Sequence, residues 1–307
     1  MQPSSSNFHI ISTLRYDPDL PNTSHIPDSY PSPQNSPYYL LSYHHDRLLT
    51  AALDFQWPAA IALLQQQPPE TVLAQLTEKF DEHISSDPTH PWRLRVLLDA
   101  AGVLTIEAAP IISTVPILVL PGERPDFSHL LSSFLSHGSN EIHSEFSAER
   151  IETWTLRIDT QPTTPSLFTR HKTTARDNYT ASRMRAGITS PHDRTEVLIY
   201  NPAGEVMEGS ITSVYFRRQQ RQSVGPSASV SVPERTGDSL GDSYYWVTPP
   251  LSSGGNAGTS RRYALAAGLC VEEVVRVEEL REWEGEEGRV WLSNGVRGFM
   301  PAVLRLG

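Results

Sequence analysis

The chain has 307 residues, of which 38% are hydrophobic and 20% charged, a composition typical of a soluble globular protein large enough for two domains. No stretch approaches the roughly 18 apolar residues of a membrane span, and a formal net charge of −10 argues against a nucleic-acid-binding face. The single cysteine, Cys270, excludes an intrachain disulfide, and the polar N-terminus lacks the pattern of a signal peptide. We therefore expect a cytoplasmic protein that acts on a small molecule and binds neither nucleic acid nor a membrane.

The first half of the chain predicts a strand followed by helices and a hairpin. Residues 8–16 have the apolar content of a strand, whereas residues 43–55 repeat apolar side chains at helical spacing. Pro58 stops that helix, and a second helix is expected to open at Pro69, since proline suits a first helical turn. Residues 92–108 alternate like two strands around a central turn, which indicates a hairpin.

A polar stretch at residues 161–165 is the best candidate for an interdomain linker. We therefore predict an N-terminal α/β domain in residues 1–160 and a larger C-terminal mixed β-sheet domain in residues 166–307, together an α+β protein. The Ser-, Gly- and Pro-rich residues 217–243 are expected to form a flexible surface insertion in the second domain. The predicted elements of the C-terminal domain are a helix near residues 178–185 and strands at 196–200, 205–207, 212–216 and 244–248.

Lysine is rare in this chain, and this narrows the search for a reactive amine. Only Lys79 and Lys172 are present among 25 basic side chains, so chemistry that needs a deprotonatable amine has two candidates. Lys172 follows the predicted linker and precedes a predicted helix, within the sequence RHKTTARDNY at residues 170–179. A solvated surface lysine is the ordinary alternative for such a residue.

Two glycine-containing segments and one arginine have the features of an anion-binding site. Residues 201–213 (NPAGEVMEGSITS) predict a turn and two short strands, in which Gly209 lets the backbone approach a ligand. Residues 248–262 (TPPLSSGGNAGTSRR) run into a helix that places Thr259 near its N-terminus, where phosphate groups commonly bind. Arg47 offers a forked donor for a phosphate. A plain hairpin and a structural ion pair are the alternatives for these segments.

Taken together and in this order, these segments resemble class IV aminotransferase-like proteins, which are pyridoxal 5′-phosphate (PLP) enzymes of fold type IV. The resemblance covers residues 40–303 and implies a small N-terminal α/β domain beside a larger, barrel-like mixed β-sheet domain. The LRYDP sequence at residues 14–18 and the HKTT sequence are most similar to the aminodeoxychorismate lyase-like branch of fungi. The matching sequences are HDRL at 45–48, HKTTAR at 171–176, EGSIT at 208–212, residues 248–262, and LSNGVRG at 292–298.

The resemblance implies a role for each matching residue. Lys172 would hold PLP covalently and move the proton at the substrate carbon, which requires a neutral amine near pH 7. Glu208 would face the pyridine nitrogen and keep it protonated. The phosphate ligands would be Arg47, the backbone amides of Ile211 and Thr212, and Thr259.

The substrate contacts are less determined by the sequence. Arg297 is a candidate for binding a substrate carboxylate, with a structural ion pair as the alternative. Arg93 and Arg95 share one face of a predicted strand and either line the cleft or face water. Ala175 and Tyr179 depart from the sequences of relatives after the lysine, so the partner of the cofactor's ring hydroxyl stays open. No metal site is expected, because the adjacent His44 and His45 diverge on a helix.

Two PLP reactions stay open, together with loss of activity. The resemblance favours a lyase that converts 4-amino-4-deoxychorismate to 4-aminobenzoate and pyruvate, a step toward folate. The alternative is an aminotransferase acting on branched-chain or D-amino acids, and a non-catalytic relative is a third possibility. Proteins of this group are commonly homodimers, which the resemblance implies here as well.

Overall fold

The computed structural model describes residues 8–22, 36–65, 68–111, 117, 120–121, 153–190, 193–219 and 244–306. Two β-sheets with accompanying helices organise these residues, which agrees with the predicted α+β class. Most of the predicted insertion at residues 217–243 lies outside the described residues. Within the described residues, no helix is long and apolar enough to cross a membrane.

The first sheet has three antiparallel strands in the order β1-β2-β3. The predicted first strand and the predicted hairpin are both confirmed. Side chains alternate across β1, so that Ile10 and Leu14 enter the hydrophobic core while Thr13 faces the opposite side. The strands are β1 (Ile10–Tyr16), β2 (Trp92–Leu98) and β3 (Leu104–Pro110).

Three helices cover the core face of this sheet: α1 (Leu41–Asp54), α2 (Pro58–Gln65) and α3 (Pro69–Ile84). The helices predicted around residues 43–55 and from Pro69 are confirmed as α1 and α3. Helix α2, which the sequence pattern did not indicate, begins at Pro58. The proline that separates α1 from the next segment also fits a first helical turn, where its missing N–H is not needed.

The second sheet has eight strands in the order β6-β5-β4-β11-β10-β7-β8-β9. It is mixed, because β4 runs parallel to both β5 and β11, and β8 parallel to β9, while the other neighbours are antiparallel. The strands are β4 (Trp154–Ile158), β5 (Thr195–Tyr200), β6 (Val206–Gly209), β7 (Ser213–Gln219), β8 (Tyr244–Thr248), β9 (Val271–Glu272), β10 (Val290–Asn294) and β11 (Gly298–Leu304).

In the described part of the chain, four α-helices connect these strands: α4 (Leu167–Arg170), α5 (Asp177–Arg185), α6 (Thr259–Ala266) and α7 (Val277–Leu280). The predicted division into domains at residues 161–165 stays a prediction. The position of strand β4 is relevant to this boundary, because β4 precedes residue 160 and yet pairs within the larger sheet between β11 and β5. A domain boundary drawn from the sheets would therefore lie before β4.

Backbone hydrogen bonds join β1 to the larger sheet's loops. The N–H of Ile11 donates to the carbonyl of Lys172 at 2.8 Å, and the N–H of Thr174 donates to the carbonyl of His9 at 2.9 Å. At the other end of β1, the N–H of Arg15 donates to the carbonyl of Gly295 at 3.0 Å. The edge of β1 that does not pair with β2 is thereby held against the loop that contains Lys172.

Candidate active site

A cavity with about 560 Å³ of empty space, the open solvent at its mouth included, lies where β1 and α1 meet the loops of the larger sheet. Six of the seven predicted site residues line this one cavity, although they are far apart in the sequence. They are Arg47, Lys172, Glu208, Ile211, Thr212 and Thr259.

Lys172 lies on the segment between α4 and α5, whose backbone is fixed by its hydrogen bonds to β1. Its Nζ contacts Thr13 Oγ1 at 3.4 Å, a long hydrogen bond. Burial, with the charges of Arg47 and Arg176 next in effect, lowers the pKa of Lys172 well below its usual value. This shift favours the neutral amine, the form that reacts with a carbonyl group.

Glu208 is a buried carboxyl group at the end of β6. Burial raises its pKa to about 7, while hydrogen bonds from the Tyr179 hydroxyl and the Asn256 backbone favour the charged form. The Tyr179 hydroxyl donates to Glu208 Oε1 at 2.5 Å. A carboxylate in this position can accept a hydrogen bond from a protonated ring nitrogen.

Another part of the cavity combines Arg47 with the N-terminus of α6. Arg47 Nη2 donates to Asn256 Oδ1 at 3.3 Å and to the Ala257 carbonyl at 3.4 Å, but the buried Nε has no hydrogen-bond partner. Burial lowers the pKa of Arg47 to about 10, so the guanidinium stays charged at pH 7. Thr259 begins α6, where first-turn N–H groups lack helical partners and favour an anion.

Comparison with known proteins agrees with this geometry. The model of the amino-transferase class IV family matches residues 30–304. The chain belongs to this family. Its members are PLP-dependent enzymes, and the chain is therefore a PLP-dependent class IV enzyme.

Individual relatives include both lyases and aminotransferases. The aminodeoxychorismate lyase of Saccharomyces cerevisiae is 30% identical over 70% of this chain, which spans 52% of that protein. A Mesorhizobium loti protein assigned as an amino-acid aminotransferase has a TM-score of 0.58 at 20% identity, covering 97% of this chain and 100% of its own. The branched-chain amino acid aminotransferase of Escherichia coli has a TM-score of 0.53 at 15% identity, covering 96% of this chain and 76% of its own. Both structures share fold type IV with this class IV chain.

The residues of the cavity fit PLP at three points. The unpaired Nε of Arg47, together with the N-terminus of α6, suits a phosphate dianion. Glu208 suits the pyridine nitrogen, and the neutral amine of Lys172 suits the aldehyde. These assignments remain proposals for individual residues, but each meets a chemical need of the cofactor.

The geometry revises one part of the predicted phosphate site. Glu196, a buried carboxylate on β5, accepts hydrogen bonds from the Ile211 amide at 3.0 Å and from the Thr212 hydroxyl at 2.9 Å. Because the Ile211 amide already donates its hydrogen to Glu196, the amide is not free to bind a phosphate. We therefore place the phosphate nearer Thr259 and Ser260, which also lines the cavity. The sequence alone gave no reason to connect Glu196 with these groups.

Arg297 is the predicted residue that does not line the cavity. It lies in the turn between β10 and β11, is exposed, and places its guanidinium 5.4 Å from the centre of the Trp154 ring. Its role in binding substrate stays a prediction. Arg95 is closer to the chemistry, because its charge contributes to lowering the pKa of Lys172, and it also pairs with Glu107 at 2.7 Å.

The cavity also contains residues that were not predicted from the sequence, among them Thr13, Arg176 and His171. His171 is buried, and its Nε2 lies 2.7 Å from Asp54 Oδ2 at the end of α1. Arg176 donates to the Ser210 carbonyl at 2.6 Å. The HKTTAR sequence could have indicated His171 and Arg176, because both are polar neighbours of the reactive lysine. Thr13 had no such signal beyond its place in the strand alternation.

Proposed function

We propose that this chain is a PLP-dependent lyase that converts 4-amino-4-deoxychorismate to 4-aminobenzoate and pyruvate. The observation that carries the proposal is the pair of Lys172 and Thr13 in a cavity rich in arginine. The yeast lyase relative supports the choice of reaction, although this chain spans only about half of that protein.

When bound, PLP supplies a ring that accepts electrons from the substrate carbon attached to the amino group. Lys172, as a neutral amine, takes the proton from that carbon. The C–O bond between the substrate's six-membered ring and the enolpyruvyl group then breaks, and the substrate ring becomes aromatic. The departing enolpyruvyl group gains a proton to become pyruvate. Thr13 holds the amine of Lys172 and can pass a proton to or from it.

The charges around Lys172 favour a substrate with two carboxylates. Arg176 lines the cavity, and Arg95 lies close enough to affect the pKa of Lys172. 4-Amino-4-deoxychorismate carries two carboxylates, whereas a branched-chain amino acid carries one carboxylate and an apolar side chain. Two cations beside the reactive amine match the first substrate better, because guanidinium groups pair with carboxylates.

An aminotransferase acting on branched-chain or D-amino acids is the second candidate. The fold it shares with the E. coli branched-chain enzyme favours this alternative. Lys172 and Glu208 would serve both reactions, since both begin with removal of a proton from the carbon next to nitrogen. Only the fate of the substrate separates the two.

Incubation of the PLP-loaded protein with 4-amino-4-deoxychorismate tests the proposal. We expect 4-aminobenzoate and pyruvate in equal amounts, measured by liquid chromatography. Lys172→Ala should abolish both products. Lys79→Ala changes the other lysine, which is exposed on α3, and should leave both products unchanged. Formation of keto acids from leucine or D-alanine, without 4-aminobenzoate, would establish the aminotransferase instead.

We also propose a homodimer, as the resemblance implies, and a location in the cytoplasm, which the single cysteine favours. Sedimentation equilibrium should give twice the chain mass of 34.2 kDa. A mass equal to one chain would contradict the dimer without affecting the chemistry proposed for the cavity.

A further inference from the structure

Tyr179 is a buried residue of α5 whose hydroxyl lies between two acceptors. Glu208 Oε1 is 2.5 Å away, and the Thr169 carbonyl is 3.2 Å away. A tyrosine hydroxyl has one proton to donate but can also accept a hydrogen bond. Tyr179 can therefore serve both forms of Glu208: it donates to the carboxylate, or it accepts from the protonated acid and donates to Thr169.

Neighbouring groups hold the Tyr179 ring in this position. The guanidinium of Arg176 lies 4.8 Å from the ring centre and donates to the Ser210 carbonyl, two residues beyond Glu208. Arg176 thus links the tyrosine ring to the turn that follows Glu208. The hydroxyl is directed at Glu208 by packing on one side and by a charge-assisted hydrogen bond on the other.

We propose that Tyr179 is a positioning residue that acts through Glu208, holding its carboxylate in place and ionised for the pyridine nitrogen of PLP. This inference rests on the proposed role of Glu208. It also assigns Tyr179 to the nitrogen end of the cofactor, so Tyr179 does not act independently on the ring hydroxyl.

The groups that face Glu208 come from several elements. Arg47 of α1, Arg176 before α5 and the amide of Asn256 favour its charged form, and Lys172 shares the cavity. The hydrogen bond from Tyr179 also lowers the pKa of Glu208, whereas burial, the largest effect, raises it. Removing the hydroxyl therefore raises the pKa of Glu208. As the pH is lowered, the carboxylate of the variant becomes protonated at a higher pH than that of the wild type.

The test is the dissociation constant of PLP as a function of pH, measured by fluorescence titration of cofactor-free protein. For the wild type, we expect binding to weaken as the pH falls through about 7, where Glu208 gains a proton. Tyr179→Phe should move this midpoint upward by about one pH unit, which raises the dissociation constant at pH 7 about fivefold. At pH 9 the two proteins should bind PLP almost equally.

A double-variant cycle separates action through Glu208 from direct action on the cofactor. In the Glu208→Gln protein, adding Tyr179→Phe should change neither the affinity nor the pH profile. Tyr245→Phe is the matched control, because it removes a tyrosine-to-glutamate hydrogen bond, to Glu273 at 3.1 Å, away from the cavity. It should behave like the wild type.

Two results would overturn the inference while leaving the proposed function standing. One is an unchanged pH profile in Tyr179→Phe, and the other is an effect of Tyr179→Phe that persists in the Glu208→Gln protein. Failure of the wild type to bind PLP at any pH would instead overturn the cofactor assignment itself. Phenylalanine keeps the ring beneath Arg176, and circular dichroism would verify that each variant folds.

Discussion

The reactivity of a single residue, Lys172, depends on its surroundings. Lys79 is exposed on α3, whereas Lys172 lies in the cavity, where burial and Arg47 lower its pKa well below the usual value. Borohydride reduction of the PLP-treated protein at pH 7, followed by peptide mapping, should therefore place the label on Lys172. The neutral amine is the reactive species, and Lys79, the other lysine of the chain, lies outside the cavity.

Conservative variants provide the controls for this labelling. Lys79→Arg should label like the wild type, and Lys172→Arg should lose the label because a guanidinium does not deprotonate at this pH. Label on the Lys79 peptide, or on neither peptide, would remove the central assignment of the cavity.

At the scale of secondary-structure elements, Glu196 holds the turn between β6 and β7. It is fully buried and accepts hydrogen bonds from the amides of Ser210 and Ile211 and from the hydroxyls of Ser210 and Thr212. Glu196→Ala would leave the Ile211 amide and the hydroxyls of Ser210 and Thr212 without this acceptor, so we expect the free energy of unfolding to fall by about 2–4 kcal/mol. The Ser210 amide keeps its hydrogen bond to the Val197 carbonyl at 3.0 Å. Urea denaturation followed by circular dichroism measures this change.

The exposed carboxylate Glu107 gives a matched comparison, because its hydrogen bond to Arg95 on the first sheet is largely solvated. Glu107→Ala should cost less than about 1 kcal/mol. Equal unfolding free energies for the two variants would mean that the turn does not depend on Glu196. In that case the Ile211 amide would again become available as a phosphate ligand.

At the scale of the whole molecule, the cavity lies between the two sheets, and Arg47 is one of the residues that connect them. It belongs to α1 over the first sheet and contacts Asn256 and Ala257 in the loop before α6. A cofactor phosphate bound here would stabilise the folded protein by mass action. Arg47→Ala should raise the dissociation constant of PLP roughly tenfold to hundredfold, since a lost hydrogen bond to a charged group costs about 1.5–3 kcal/mol.

Differential scanning fluorimetry with and without PLP provides the measurement. At a fixed PLP concentration, the rise in melting temperature should be smaller for Arg47→Ala than for the wild type. Arg218→Ala removes an arginine that pairs with Glu273 and Glu279 outside the cavity, so it should keep the full rise. An undiminished rise in Arg47→Ala would place the phosphate elsewhere.

The sequence by itself determined the local elements and identified six of the residues that line the cavity. Strand β1, the β2–β3 hairpin and helices α1 and α3 follow from apolar periodicity, which depends only on nearby residues. Lys172 stood out because lysine is so rare in this chain. Helix α2 was missed, since the local pattern at Pro58 fits the start of a helix as well as the end of one.

Only the tertiary structure decided which groups meet in the cavity. Thr13 and Lys172 are 159 positions apart, and β1 brings them together by pairing with the lysine segment. The same is true of Arg47 and the loop before α6, and of Glu196, which lies 15 positions before the amide it occupies. Such contacts depend on the order of strands in the sheets and on packing between distant segments. The periodicity of the sequence therefore does not predict them. The pKa values of Lys172 and Glu208 have the same origin, because burial, their largest cause, is a property of the folded molecule alone.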